Sequence, residues 1–358
     1  MQSRESVQEQ FLSYFRDEAN VARHFPGQLS AEFQQLAAAA HAGVPREECH
    51  FYHTVDLPGG ETVSGAWDLR PGVRQYLGHL DLAGQRVLEL GPATGYLGFH
   101  MESAGAAVTA FEIAPFLPQD LVPLPGMDLE QHRRNSVGFS RHVRNAWWYC
   151  HERLGSKVQA VYGDIYRLPP DIGRFDVATF GSILLHLGNP FAAVREAAGI
   201  TDKAIVITDL VQRMPVNLAH SHMEFNPGDM PDNLVNWWWV TPGAAVKMLR
   251  VLGFPAVSVH FHEQKLHPHH DTTRPQIDMA MYTAVGQRRA GLVPAHAIAP
   301  EAARREEQLR AAWTTDREPA QLEQARVELQ ALYASRSWRA TRPLRELGGL
   351  LRRLRDGG

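Results

Sequence analysis

The sequence predicts an α/β fold, with parallel strands alternating with helices and a ligand site at the strands' carboxyl ends. Three observations carry this. Val87, Leu88 and Leu90 make a short apolar run that stops at Gly91, Gly95 and Gly98, as a buried strand entering a glycine turn does. Leu97, Phe99 and Met101 then open a helical stretch ending near Gly105. Ala107 to Phe111 read as a second strand closing on Glu112. A strand, a glycine-rich turn, a helix and a strand with an acidic end form the unit that binds a nucleoside across parallel strands.

The glycine spacing narrows the ligand. A dinucleotide site needs Gly-x-Gly-x-x-Gly, so that backbone can approach a pyrophosphate at a helix N-terminus. Here the run is Glu89-x-Gly91-x-x-x-Gly95-x-x-Gly98, a wider turn with a carboxylate just before it. That carboxylate would repel a pyrophosphate and suits a ligand carrying an ammonium and a sulfonium. The stretch resembles motif I of class I S-adenosylmethionine (SAM)-dependent methyltransferases. The resemblance implies a Rossmann-like sheet of seven strands and SAM as cofactor, with Glu89, Gly91 and Gly95 in its site and Glu112 holding the ribose hydroxyls.

The remaining elements follow in order. Residues 5 to 40 read as helical, with Phe11, Leu12 and Phe15 on one face and an Ala-rich run at 37 to 40, which suggests a helical pre-domain or lid. Pro58-Gly59-Gly60 is a turn between two strand-like runs, and a helix is predicted at 71 to 80. In the family the segment before motif I often closes over the cofactor. Trp67 and Arg70 are therefore candidates to touch the SAM carboxylate, since a guanidinium fork matches one. After a proline-rich loop (Pro115, Pro118, Pro123, Pro125) comes a long helix at 128 to 154. Its arginines are interleaved with Trp147, Trp148 and Tyr149, a pattern open to a face for nucleic acid or glycan phosphate, or to an amphipathic crossover helix with a solvated basic side.

Val158 to Tyr162 reads as the third strand, ending at Gly163-Asp164-Ile165. The resemblance sets Asp164 on the adenine amino group and Ile165 on the ring. Phe175 to Phe180 reads as the fourth strand, with Gly181 at its end joining the cofactor set, and Ala204 to Thr208 as the fifth, ending at Asp209. A helix around 244 to 253 leads to a closing hairpin from 256–263 and 277–285. The insertion at 210 to 240 carries Trp237, Trp238 and Trp239; three consecutive tryptophans cannot all face one core, so at least one is expected to line an acceptor pocket. These readings divide the chain into an N-terminal segment (1–79), a methyltransferase domain (80–290) and a helical tail (291–358).

Composition excludes several classes. The 358 residues are 44% hydrophobic and 21% charged, which is globular, and a formal net charge of −3 argues against nucleic acid as the main partner. Cys49 and Cys150 are too few for a disulfide framework. The N-terminus lacks the apolar region of a signal peptide, and no run is long enough to span a membrane, so a cytoplasmic location is expected. His260, His262, His267, His269, His270 and Asp271 fit no metal-ligand spacing and are expected in an exposed loop, although alternation would put His260 and His262 on one face of a strand. Asp209 could contribute to a magnesium site but has no adjacent acidic partner, so no metal is expected.

His186 stands just past the fourth strand, where family members place residues facing the transferred methyl. Histidine suits proton transfer near neutral pH, which a hydroxyl acceptor requires. The tail segment from Ser335 to Arg345 resembles one at the ends of bacterial glycosyltransferases and other glycan-assembly proteins. Its arginines, interleaved with Trp338 and Leu344, suit an anionic membrane surface or an acidic partner protein.

Together these features favour an O-methyltransferase acting on a sugar hydroxyl in bacterial surface-glycan or glycoside synthesis. Two alternatives stay open. Residues 181 to 190 also resemble the tRNA wobble-uridine carboxymethyltransferases, but Leu185 stands where that family has Tyr, and no lysine occurs between 51 and 80. The other is a non-catalytic SAM-binding subunit of a glycan-assembly complex.

Overall fold

In the computed structural model, which describes residues 4–17, 23–211, 216–227 and 234–315, two helices come first, α1 (Arg4–Tyr14) and α2 (Ala31–His41). A small hairpin of β1 (Val55–Asp56) and β2 (Thr62–Val63) turns at Pro58–Gly60, followed by β3 (Trp67–Asp68) and the single turn α3 (Val73–Tyr76). The repeating part is β4 (Arg86–Leu90), α4 (Tyr96–Ser103), β5 (Ala107–Ile113), α5 (Leu129–Leu154), β6 (Gln159–Gly163), β7 (Phe175–Gly181), α6 (Pro190–Gly199) and β8 (Thr201–Leu210). A short hairpin, β9 (Met223–Phe225) with β10 (Trp238–Val240), precedes α7 (Pro242–Val251). The long antiparallel pair β11 (Ala256–Leu266) and β12 (Ile277–Gln287) and helix α8 (Pro300–Trp313) complete the unit.

The main sheet runs β3-β11-β12-β8-β7-β4-β5-β6. Strands β6, β5, β4, β7 and β8 are parallel, whereas β12, β11 and β3 pair antiparallel. This is the expected seven-strand sheet with β3 added at one edge. Parallel strands are buried on both faces, and period-two alternation splits their side chains accordingly. Val87, Val108, Val177 and Val206 pack with α4 and α5, while Leu88, Leu90, Phe180 and Ile207 pack with α6 and α7. All eight are buried, each contributing ~1.5–3 kcal/mol.

Helices α1 and α2, the expected pre-domain or lid, pack on the edge of the sheet at β6. Gln28 donates to the Tyr162 carbonyl (2.6 Å) and accepts from its amide (2.7 Å); Gln34 does the same at Ala160 (2.7 and 3.1 Å). Two side-chain amides thus stand in for a further strand and cover an edge that would otherwise invite pairing. The helix predicted at 71 to 80 is shorter, because Gly78 and His79 adopt left-handed φ of +62° and +58° and end it.

The chain divides after Trp313, and everything described here concerns the unit Met1–Trp313. The expected boundary at 79/80 falls inside that unit, which also takes in 291–313 of the expected tail. The segment from Ser335 to Arg345 lies outside the described residues. Among the described residues, no helix is long and apolar enough to cross a membrane.

Candidate active site

After β6 the chain returns to β7 on the other side of β4, so the loops following β4 and β7 diverge and leave a crevice at the carboxyl edge. A cavity of about 850 Å³ occupies it, with Gly91, Glu112, Asp164, Ile165 and His186 in its wall. Five of the ten predicted site residues are thereby brought together.

Gly91 follows β4 with φ +75°, and a Cβ there would lie 2.3 Å from Ile183 Cδ1. Only glycine permits that backbone beside that side chain. Glu112, near the end of β5, accepts from the Ile113 amide through Oε1 (2.7 Å). Burial raises its carboxyl above the ordinary value, opposed by that amide and by the buried Arg144 behind it. At the end of β6, Asp164 accepts from the Tyr166 amide through Oδ1 (3.0 Å), and its Oδ2 lies 4.0 Å from Arg23. Arg23, in the connection between α1 and α2, also reaches the cavity wall.

His186 closes a short turn, Leu184–His186, after β7. Its Nδ1 lies 2.8 Å from the Val235 carbonyl, which can only accept, so Nδ1 carries the proton. In the neutral ring Nε2 then holds a lone pair, as a proton acceptor must. Burial lowers the imidazole pKa below its ordinary value, although Val235 and Asn236 pull the other way. The neutral form is the one favoured.

Sequence reasoning missed the brace across the cavity rim. Asp120, from the proline-rich loop, accepts through Oδ2 from the Tyr166 hydroxyl and from the Gly188 amide (2.8 Å). The Tyr166 hydroxyl in turn accepts from the Asn189 amide (3.1 Å), and the Asp120 carbonyl accepts from the Trp237 indole (2.9 Å). One residue thus ties three loops together. Trp237 lines the cavity and Trp238 donates to the Gly188 carbonyl (3.3 Å), so the insertion does place an aromatic ring there. The only sequence signal for Asp120 was its place in a loop after a site strand.

The other five predicted residues lie off the cavity wall. Glu89 alternates with Val87 and so points under α4, where a Cβ on Gly98 would lie 2.4 Å from its Oε2. Burial pushes its carboxyl up to about 8, against a smaller lowering by the Gly98 amide. Gly95 caps α4 at φ +91°. Gly181 ends β7 against Tyr76 and Leu97, 3.1–3.2 Å from a Cβ placed there. Trp67 is buried in β3, paired with Leu266. Arg70, expected to meet a ligand carboxylate, already has its fork filled: Nε and Nη2 donate to Asp68 (2.8 and 2.7 Å), and Nη1 to Asp56.

The histidine cluster also differs from expectation. His260 and His262 lie within β11, while only His267, His269 and His270 are in the loop. His262 is buried, bonded to Thr283 (2.9 Å) and Gln264 (2.9 Å). Asp209 is buried and off the cavity wall; burial pushes its carboxyl up to about 7, and the Leu210 amide donates to Oδ1 (2.8 Å). Trp147, Trp148 and Tyr149 of α5 are in the core, so those rings are not available to stack on bases.

No family model matches the chain, and no curated protein matches it either. Among solved structures it is similar to the N-terminal domain of EvdMO1 crystallised with SAH and D-fucose (17% identity, 74% of this chain and 99% of that chain, TM-score 0.41). It is also similar to the 1,6-didemethyltoxoflavin-N1-methyltransferase of Burkholderia thailandensis (18%, 61% and 77%, 0.36). A third is a putative RNA methyltransferase from Pyrococcus horikoshii (14%, 60% and 80%, 0.36). Likenesses this remote carry no weight for activity or substrate.

Proposed function

We propose that the protein is a SAM-dependent methyltransferase that methylates a hydroxyl on a sugar, in bacterial glycan or glycoside synthesis. The observation that carries the reading is the convergence of Gly91, Glu112, Asp164 and Ile165 with His186 on one cavity. The donor set fits the cofactor. Glu112 is a carboxylate fixed by a backbone amide and suited to accept from ribose hydroxyls, and Asp164 and Ile165 offer an acid and an apolar wall to adenine. Bound SAM would supply an electrophilic methyl group on sulfur.

The chain's own residues supply the rest. The brace through Asp120 and Tyr166 holds the loops that shape the cavity, so alignment is set before reaction. Trp237 offers an aromatic wall to a sugar ring. As the acceptor oxygen gains the methyl, its proton passes to Nε2 of His186, while the Val235 carbonyl steadies the imidazolium through Nδ1–H. S-adenosylhomocysteine and the methyl ether are the products.

The experiment is transfer from methyl-labelled SAM to fractionated acceptors. Label in the glycoside or glycan fraction supports the reading. Label in tRNA would replace the acceptor class. Label in neither, with SAM bound, would favour a non-catalytic SAM-binding subunit.

A further inference from the structure

Away from the cavity, three ionisable side chains from distant parts of the sequence meet between the sheet and α8. They are His79 from the turn after α3, His260 from β11 and Glu306 from α8. His260 Nδ1 lies 3.0 Å from Glu306 Oε1, and His79 Nε2 lies 3.8 Å from Oε2. Their ligand atoms all fall within 4.8 Å of one another. His79 is 5% exposed, and its Nε2 has no hydrogen-bond partner among the described residues, although it is aimed into the cluster. A buried imidazole nitrogen without a hydrogen bond is costly, and the Glu306 oxygen 3.8 Å away is too distant to supply one.

We infer that His79, His260 and Glu306 bind a zinc ion that fastens α8 to the sheet. Two imidazoles and a carboxylate form a zinc donor set with one coordination position left open. Ligands ~2.0–2.2 Å from a tetrahedral ion stand roughly 3.3–3.6 Å apart; the observed 3.0 and 3.8 Å, to the two different oxygens of Glu306, lie on either side of that spacing. The surroundings fit as well. His260 Nε2 is 3.1 Å from the Ser258 hydroxyl, which fixes the ring with Nδ1 inward, as an outer partner does for a ligating histidine. His79 is held at its left-handed φ of +58° by two backbone bonds: its amide donates to Arg74 (2.7 Å) and its carbonyl accepts from His296 (2.7 Å). Spacing in the sequence could not reveal such a site, because each ligand comes from a different element.

The test uses the full chain, stripped with chelator, dialysed and titrated with Zn²⁺ and separately with Co²⁺. The expected result is one site per chain at micromolar affinity or better, a cobalt spectrum of tetrahedral intensity and a higher Tm with zinc. Glu306→Gln and His260→Ala should each weaken that site at least tenfold, and His267→Ala, in the loop, should not. Failure of the wild-type chain to take up metal would overturn the inference, as would an octahedral cobalt spectrum. Uptake unchanged in both Glu306→Gln and His260→Ala would overturn it too.

Discussion

At the amino ends of the parallel strands, Asp176 lies between Arg86 (3.3 Å) and Lys203 (3.4 Å), and Asp202 between Arg174 and Arg86 (3.7 Å). At the carboxyl ends of the same sheet, Glu112, Asp164 and Asp120 accept from the backbone amides of Ile113, Tyr166 and Gly188. Both ends are rich in carboxylates and both use backbone amides, the Arg86 amide donating to Asp176 (2.9 Å), but cations come closer at the amino end: Arg86 is 3.3 Å from Asp176, whereas Arg23 is 4.0 Å from Asp164. A cation in close contact largely cancels a carboxylate's charge. A backbone amide fixes the carboxylate while leaving charge and acceptor capacity for something else. On the proposed function, the difference separates an end that serves stability from one that serves a ligand.

The largest effect that can break this contrast is at His186. On the proposed function, His186→Ala should slow the chemical step ~10²–10⁴-fold with little change in SAM affinity. The wild-type rate should fall as pH drops through the imidazole pKa, which burial sets below its ordinary 6.5, and the residual rate of the variant should lack that limb. Single-turnover measurement with an accepted sugar decides it. An unchanged profile would make the histidine structural.

Next comes Glu89, which the fold buries rather than presents. Its carboxyl is raised by burial from 4.5 to about 8, so as pH rises the unfolded chain loses this proton first. Stability should therefore fall across that window at up to about 1.4 kcal/mol per pH unit, roughly 5 kcal/mol in all. Glu89→Gln should flatten the decline, read by chemical denaturation at each end of the window. A wild-type stability that rises over the window would contradict the assignment.

The amino end gives a smaller effect. Despite the cost of burial, Arg86 and Lys203 hold the Asp176 carboxyl below its ordinary 3.8, so its contribution is full above that value and is lost as pH falls through the lowered one. Asp176→Asn should cost about 1 kcal/mol at neutral pH and leave SAM affinity unchanged. Any loss of affinity would show that the two ends are not separate. Smallest of all, Arg70→Ala should change SAM affinity less than ~2-fold, because its guanidinium is already held by Asp68 and Asp56; a Kd shift of less than ~0.5 kcal/mol is the same statement.

What could be read in the sequence was what local pattern encodes. The run from Val87 to Glu112 shows a strand, a left-handed glycine turn, a helix and a strand, because each step has its own period or backbone demand. Asp164 and His186 were legible because the family resemblance gives roles to residues at those strand ends, and both line the cavity. Partnerships formed by folding were invisible. Nothing near Arg70 announces that Asp68 and Asp56 fill its fork, and nothing near Gln28 and Gln34 announces that they cover β6. Asp120 is an ordinary loop aspartate until Tyr166, Gly188 and Trp237 converge on it. His260 read as part of a loop cluster because His267 to His270 are adjacent in sequence, whereas its neighbours in space are His79 and Glu306.

The central claim is that the carboxyl edge holds SAM through the carboxylate at the end of β5. Calorimetric titration of SAM and S-adenosylhomocysteine into the wild-type chain and into Glu112→Ala tests it most directly. Two charge-assisted bonds from ribose hydroxyls are worth roughly 1.5–3 kcal/mol each, so the wild type should bind both ligands and the folded variant at least ~10-fold more weakly. No binding by the wild type, or equal affinity in a folded Glu112→Ala, would contradict the account.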